Sequence, residues 1–299
     1  MNLGQALKYL TDTFKQNDIP EPDAEASVIL CHLLKMDKSC LYAQPGLEFN
    51  ADQFDELEKL VARRLNREPA AYIIKNKQFY GIDLYVDSRA LIPRPETETL
   101  VEEAIKFAQK YLEKESNSQR KLLIADVGTG SGAIAVALAL NLPQSIIYAV
   151  DISAKALEVA AVNVKRLGLE SRITLIQGDV LDPIEGKLDM IVANLPYIEE
   201  AELGCLQAEV SHHEPGIALQ GGADGTSVIR RMLQQAAGKI KAGGAVLLEI
   251  GAGQEQCVTA IVHDLMPGNL VELIEDLSGI DRVVKIGYRP ERLPRTIPG

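Results

Sequence analysis

The sequence contains no tryptophan, and aromatic side chains make up only 5% of its 299 residues. Enzymes that extrude a nucleobase need aromatic side chains to stack against it, so this composition disfavours such an enzyme. Positive charge is also scarce, because 31 Lys and Arg residues stand against 42 Asp and Glu residues, a net charge of −11. Proteins held on nucleic acid mainly through phosphates are usually basic. We therefore expect no direct nucleic-acid partner.

The four cysteines are scattered along the chain and form no C-x-x-C pair. This spacing provides neither a zinc site nor a disulfide framework and is typical of a reducing compartment. No run approaches about 18 apolar residues, and the amphipathic start lacks the basic and then apolar order of a signal peptide. These absences predict a cytoplasmic protein with no metal and no membrane partner.

The hydrophobic residues, 46% of the chain, suffice for a sizeable core, and the length predicts two domains. Apolar positions in the first 70 residues follow the i, i+4, i+7 rhythm of amphipathic helices. Residues 77–88 alternate around Gly81 like a β-hairpin. A long helix is predicted over residues 90–115, with Pro95 near its first turn and acidic residues beside its positive end.

Beyond that helix, seven apolar strands alternate with helical segments, a pattern typical of an α/β fold with a doubly wound, mostly parallel, Rossmann-like sheet. We predict a small helical domain over residues 1–75, a β-hairpin linker over 76–90 and the sheet domain over 91–299. The helical domain carries no catalytic cluster, so we expect it to position a substrate. The polar run 116–119 is predicted to be a loop, and the proline-rich end 289–299 to be poorly ordered.

A glycine-rich turn follows the first strand of the sheet domain and opens a helix. Glycine lets a backbone approach a ligand closely, and the helix N-terminus faces the turn. The spacing is G-x-G-x-G, but Gly128, Gly130 and Ala133 also satisfy the dinucleotide fingerprint, so the turn alone indicates only a nucleotide-like ligand. The candidate cofactor-binding residues in this turn are Asp126, Gly128, Thr129, Gly130, Ser131 and Gly132.

Two further acidic residues follow the next two strands. Asp151 lies about 20 residues after the glycine turn, where a carboxylate can accept both ribose hydroxyls and would repel the 2′-phosphate of NADP. An N-cap role for Asp151 is equally compatible, because a helix follows at once. Asp179 and its neighbour Val180 follow the third strand, where an adenine amino group would be met, although an Asp in a turn needs no ligand.

The segment Asn194-Leu195-Pro196-Tyr197 follows the fourth strand, so it belongs to the crevice at the carboxyl ends of the strands. The Asn194 side-chain oxygen and a backbone carbonyl near Leu195 can accept both hydrogens of a planar NH₂ group. Pro196 fixes the chain and Tyr197 can stack on the group. This arrangement activates an amide or arylamine nitrogen and predicts methyl transfer from a sulfonium donor, without a metal. The candidate catalytic residues are Asn194, Pro196 and Tyr197. The candidate substrate-binding residues are Asn194, Leu195, Pro196 and Tyr197. We also expect Asn194 to contribute to cofactor binding.

Over essentially its whole length the sequence resembles the HemK/PrmC family of peptide chain release factor glutamine N5-methyltransferases. The most diagnostic segments are Leu-Ile-Pro-Arg-Pro-Glu-Thr-Glu at 91–98 and Glu-Pro-Gly-Ile-Ala-Leu-Gln-Gly-Gly-Ala-Asp-Gly at 214–225, together with the glycine turn and Asn-x-Pro-Tyr. The resemblance implies a class I methyltransferase domain that uses S-adenosyl-L-methionine. It implies, as acceptor, the glutamine of the Gly-Gly-Gln motif of class 1 release factors. We expect a monomer.

One position departs from the family pattern, because Leu195 stands where the family usually has proline. Asn-Leu-Pro-Tyr resembles the form in ribosomal RNA adenine dimethyltransferases, yet leucine can still supply the backbone acceptor. Adenine-N6 methylation of RNA or DNA and glutamine methylation of a ribosomal protein are therefore alternatives. Two further alternatives are an NAD oxidoreductase, which would share the glycine turn, and a non-catalytic binding module. His212 and His213 are expected in a loop covering the acceptor, and not as metal ligands.

Overall fold

The computed structural model describes residues 1–114 and 120–289, so the predicted loop at 116–119 and the proline-rich stretch 290–299 lie outside the described residues. The chain divides into two compact units, which we call the helical unit and the sheet unit. Within the described ranges, no helix is long and apolar enough to cross a membrane. The helical unit holds Met1–Asn76, Val86–Ser88 and Leu206–Glu214, and the sheet unit holds Lys77–Tyr85, Arg89–Cys205 and the chain from Pro215.

The helical unit begins with five helices. Two of them start at capping boxes, in which Asn2 and Asn50 each exchange hydrogen bonds with a glutamine three residues later. The amphipathic helices expected from the sequence are confirmed, and two short helices of six and five residues are added. The helices are α1 (Leu3–Gln16), α2 (Pro22–Leu34), α3 (Lys38–Ala43), α4 (Ala51–Leu65) and α5 (Ala70–Ile74).

The sheet unit opens with the predicted hairpin, formed by β1 (Lys77–Phe79) and β2 (Ile82–Leu84) in antiparallel register. The long helix that follows, α6, spans Thr97–Lys114. The prediction that this helix starts at residue 90 is wrong. Pro93 and Pro95 explain the later start, because proline disfavours the α conformation of the residue before it and supplies no amide hydrogen.

Seven strands form one sheet in the order β5-β4-β3-β6-β7-β9-β8, which confirms the predicted α/β class. The five strands β3 to β7 run parallel, whereas β9 is antiparallel to both β7 and β8. In chain order the elements are β3 (Leu122–Val127), α7 (Ala133–Asn141), β4 (Ser145–Asp151), α8 (Ala154–Arg166), β5 (Ile173–Gln177), β6 (Leu188–Ala193), α9 (Ala208–His213), α10 (Ser227–Lys239), β7 (Ile240–Glu249), α11 (Glu255–Leu265), β8 (Leu270–Glu275) and β9 (Asp281–Gly287).

Both faces of the sheet are covered by apolar residues. One core combines the sheet with α6 and α7, through side chains such as Leu100 and Leu138, and the other combines it with α10 and α11, through Met232 and Val262. The strand order reverses beside β3, whose neighbours are β4 and β6. Ligands of doubly wound sheets bind at the carboxyl ends of the strands at such a reversal.

Candidate active site

A cavity of about 210 Å³ lies where β3, β4, β5 and β6 end. A smaller recess of about 50 Å³ adjoins it and shares Leu91, Gly128, Gly130 and Asn194 with it. The glycine turn, the two acidic residues at the carboxyl ends of β4 and β5, and the Asn-Leu-Pro segment after β6 therefore line the same cavity. The residues lining the larger cavity include Arg89, Leu91, Gly128, Gly130, Asp151, Ser153, Asp179, Val180, Asn194, Leu195, Pro196, Pro215, Ile217, Gln220 and Arg231.

Three glycines of the turn after β3 have positive φ angles, +74° at Gly128, +56° at Gly130 and +82° at Gly132. A Cβ atom on Gly128 would lie 3.1 Å from the backbone oxygen of Asn194, and one on Gly132 would lie 3.2 Å from the Cβ of Ala160. At Gly130 the nearest atom to such a Cβ would be 4.0 Å away, so this glycine borders open space. Gly130 thus lines the cavity, whereas Gly132 allows close packing of α7 on α8.

Asp126 is fully buried beneath the glycine turn and lines neither the cavity nor the recess. One of its oxygens accepts hydrogen bonds from Thr129 Oγ1, at 2.6 Å, and from the amide of Ala135, at 3.0 Å. Burial raises the pKa of Asp126 to about 7. This carboxyl therefore holds the turn against the first turn of α7. Thr129 and Ser131 line the smaller recess.

Asp151 ends β4 and holds the glycine turn from the other side. Its two oxygens accept hydrogen bonds from the amides of Gly130 and Ser153, each at 2.8 Å. The alternative that Asp151 caps the following helix is wrong, because Ser153 is the N-cap of α8. Burial raises the pKa of Asp151, and the two amide hydrogen bonds act in the opposite direction. Each carboxylate oxygen retains a lone pair for a ligand hydroxyl.

Asp179 lies two residues beyond the end of β5, on the wall of the cavity. Its carboxylate forms an ion pair with Arg231 of α10 at 3.1 Å. Val180 also lines the cavity and has a φ of +53°, an unusual conformation for a β-branched residue.

Asn194 directly follows β6 and donates its side-chain amide to Thr97 Oγ1 at 3.0 Å. The remaining side-chain oxygen of Asn194 is therefore the group that can accept from a ligand. Leu195 and Pro196 also line the cavity. Tyr197 is not among the residues that line the cavity. Its carbonyl oxygen accepts a hydrogen bond from Gln254 Nε2 at 3.0 Å, and its half-buried ring lies beside Gly251. Burial raises the pKa of Tyr197 to about 12.

Sequence reasoning gave no role to two residues close to Asn194. Thr97 starts α6 and lines the smaller recess, and Glu249 ends β7. Glu249 is only 1% exposed. Burial raises the pKa of Glu249 to about 7, and hydrogen bonding to Thr97 and Asn194 counteracts part of the rise. An acidic residue within the otherwise apolar run 245–250, at the end of β7, was the signal that could have identified it.

His212 and His213 end α9 instead of lying in a covering loop. The Nε2 atom of His213 lies 3.0 Å from the carbonyl oxygen of Asn66, another residue of the helical unit. Over residues 1–114 and 120–289, no group of three His, Cys, Asp or Glu side chains is arranged to hold a metal ion.

A doubly wound seven-stranded sheet with a glycine turn, Asp151 and Asn-Leu-Pro-Tyr at its carboxyl edge defines a class I methyltransferase fold. Family models match the chain twice, the PrmC N-terminal domain over residues 5–74 and the methyltransferase small domain over residues 99–210. Among solved structures, a methyltransferase from Pyrococcus furiosus is 19% identical, with a TM-score of 0.49, over 77% of this chain and 98% of that chain.

Curated relatives match nearly the whole chain, and two of them serve as examples. The release factor glutamine methyltransferase of Bacillus anthracis is 35% identical over 287 residues, covering 95% of this chain and 98% of that protein. That of Thermodesulfovibrio yellowstonii is 40% identical over 262 residues, covering 87% and 90%. The chain therefore belongs to the release factor glutamine methyltransferase family, and the resemblance found in the sequence is confirmed. Membership of a methyltransferase family disfavours the two alternatives considered above, an NAD oxidoreductase and a non-catalytic binding module.

Proposed function

We propose that this chain transfers a methyl group from S-adenosyl-L-methionine to the side-chain nitrogen of the Gly-Gly-Gln glutamine in class 1 peptide chain release factors. The observation that carries the proposal is the orientation of Asn194. Its amide nitrogen is committed to Thr97, so its oxygen is available beside the glycine turn as an acceptor for an NH₂ group. Curated relatives across nearly the full length support the choice of acceptor.

The cavity fits an adenosyl group in its chemistry. Gly130 leaves space where any side chain would intrude, and Asp151 presents two carboxylate oxygens suited to ribose hydroxyls. Asp179 and Val180 would border the adenine, while the glycine turn with Thr129 and Ser131 would border the methionine end. Asp126 and Gly132 support this turn from behind. When bound, S-adenosyl-L-methionine supplies an electrophilic methyl group on a sulfonium sulfur.

The acceptor amide is a weak nucleophile, and the chain's own contribution is to orient it. The Asn194 oxygen and the backbone carbonyl at Leu195 accept its two hydrogens, which places the nitrogen lone pair toward the donor. Leu195 is 4% exposed and packs in the core shared with α10 and α11. Burial of this side chain therefore fixes the backbone where the family usually has a proline ring. Tyr197 supports the segment through its carbonyl and its half-buried ring.

We propose residues 1–75 as the domain that recognises the protein substrate, residues 76–90 as the connecting hairpin segment and residues 91–299 as the methyltransferase domain. The net charge of −11 supports a protein partner over a nucleic acid. We also propose that the enzyme acts as a monomer in the cytoplasm, without a metal. Size-exclusion chromatography with light scattering tests the oligomeric state.

Transfer of a labelled methyl group tests the function. The substrates are a purified class 1 release factor, its Gly-Gly-Gln→Gly-Gly-Ala variant, DNA, ribosomal RNA and ribosomal proteins, each incubated with the full chain. We expect label only on the intact factor, and at least about a 100-fold loss of label with Asn194→Ala, as for removal of a preorganised polar group. Label on adenine or on a ribosomal protein, or full activity of Asn194→Ala, would overturn the proposal.

A further inference from the structure

Three segments of the sheet unit converge on the carbonyl oxygen of Tyr197. This oxygen accepts a hydrogen bond from Nε2 of Gln254 at 3.0 Å, and Oε1 of the same glutamine accepts one from the amide of Gly251 at 2.9 Å. Gly225, on the third segment, comes so close that a Cβ atom there would lie 2.4 Å from the Tyr197 oxygen and 2.6 Å from Gln254 Nε2. The Gln254 side chain therefore connects the end of the Asn-Leu-Pro-Tyr segment to the turn after β7.

The helix that follows does not account for a glutamine at position 254. Gln254 is the N-cap residue of α11, a position that favours short polar side chains able to reach the amides of the first turn. Its side chain makes no such hydrogen bond to α11, all of whose residues the structure describes. A primary amide presents a donor and an acceptor at one end, and here both are used on Tyr197 and Gly251.

The restraint on Tyr197 extends to the backbone that is proposed to bind the acceptor. The Pro196 ring fixes the φ angle of the residue between Leu195 and Tyr197, which leaves this stretch little freedom to turn. On the other side of Tyr197, the backbone of Ile198 exchanges two hydrogen bonds with residues 219–221, at 3.1 and 2.9 Å. The direction of the Leu195 carbonyl therefore depends on how the Tyr197 carbonyl is held.

We propose that Gln254 is a positioning residue, which fixes the Tyr197 carbonyl and thereby aims the Leu195 carbonyl at the NH₂ group of the acceptor glutamine. This inference rests on the proposed function. Gln254 lines neither the cavity nor the recess, so it acts on the acceptor only through the backbone between Tyr197 and Leu195. Loss of its hydrogen bond to Tyr197 should slow methyl transfer without weakening donor binding.

Two variants separate the hydrogen bond to Tyr197 from the one to Gly251. Gln254→Glu keeps the shape and the acceptor for the Gly251 amide, but an ionised carboxylate cannot donate to the Tyr197 carbonyl. Gln254→Met keeps a similar length and loses both hydrogen bonds. The matched control is Gln256→Glu, the same substitution at an exposed position two residues further along the chain, in α11.

We expect kcat for release-factor methylation at pH 8 to fall at least about 10-fold in Gln254→Glu and Gln254→Met, equivalent to about 1.4 kcal/mol of activation free energy. The KM for the release factor and the calorimetric dissociation constant of the donor should stay within about threefold of wild type. Gln256→Glu should keep kcat within about twofold. Each kcat is expressed per donor-binding site counted by calorimetry, so that unfolded protein does not lower it.

A second pair of variants disturbs the same contact from the opposite side, and it decides the question if the Gln254 variants do not fold. Gly225 and Gly168 have φ angles of +68° and +66°, so alanine is equally strained at both. A methyl group on Gly225 would displace Gln254 from Tyr197, whereas one on Gly168 would meet no described atom within 4 Å. We expect Gly225→Ala to lower kcat at least about 10-fold and Gly168→Ala to keep it within about twofold.

Wild-type kcat in Gln254→Glu would overturn the inference, because the glutamine would then serve only the turn at Gly251. Equal kcat in Gly225→Ala and Gly168→Ala would also overturn it, as would a loss of donor binding that matches the loss of rate. A wild-type enzyme that fails to label the release factor would instead overturn the proposed function, and this inference with it.

Discussion

Arg64 on α4 donates hydrogen bonds from both terminal nitrogens to one oxygen of Glu209, 145 residues further along the chain, each at 3.1 Å. The Nε atom of Arg64 donates to Glu25 at 2.8 Å, and the arginine is only 2% exposed. A second cation, Arg67, also reaches Glu209, at 3.3 Å. The helical unit is thus closed by α9, a segment that the sequence places far from the first 75 residues.

We expect Arg64→Met to lower the free energy of unfolding by about 3 kcal/mol, because the partly buried carboxylates of Glu25 and Glu209 would lose their main partner. Urea denaturation measures this. The matched control is Arg63→Met, which breaks the neighbouring ion pair with Glu68. That arginine is 41% exposed, so we expect a loss of no more than about 1 kcal/mol. Equal losses in the two variants would contradict the account of Arg64.

The pKa of Asp126, raised by burial to about 7, predicts a pH-dependent stability. Between the ordinary aspartate pKa and about 7, the folded chain holds a proton that the unfolded chain releases. Stability from this group is therefore fully present in acid and is lost as the pH rises through about 7, by at most about 1.4 kcal/mol per pH unit. Urea unfolding of wild type and Asp126→Asn from pH 4 to 8 should show a shallower decline in the variant. Parallel curves would disprove this assignment.

The order of strands and helices was predictable because apolar periods of two and of 3.6 residues are local signals. Asp151 and Asn194 were predictable as site residues because the ends of parallel strands meet at one edge. The inward placement of Asp126 was not predictable from the sequence, because it depends on hydrogen bonds from the Ala135 amide and the Thr129 hydroxyl that form on folding. Glu249 was also missed, because β7 comes beside β6 only in the folded sheet.

Asp151 is expected to control affinity for the methyl donor. Asp151→Asn keeps the shape but replaces one acceptor oxygen with a donor, which disturbs the hydrogen bond from either Gly130 or Ser153 and removes a ribose acceptor. We expect the dissociation constant of S-adenosyl-L-methionine to rise about 10- to 100-fold in calorimetry, as for loss of a charge-assisted hydrogen bond. Asp182→Asn, at an exposed position that does not line the cavity, should bind as wild type does. Unchanged affinity in Asp151→Asn would remove Asp151 from the binding site.

Gly130 and Gly168 both have positive φ angles, +56° and +66°, so alanine is strained at either position. The cost is on the order of 1–2 kcal/mol in each variant, and both should unfold at lower urea concentrations than wild type. Only Gly130 lines the cavity, whereas a methyl group on Gly168 would meet nothing within 4 Å. Gly130→Ala should therefore weaken donor binding at least about 10-fold in calorimetry, and Gly168→Ala should leave it unchanged. Equal binding by the two variants would show that the space above Gly130 is not used by the donor.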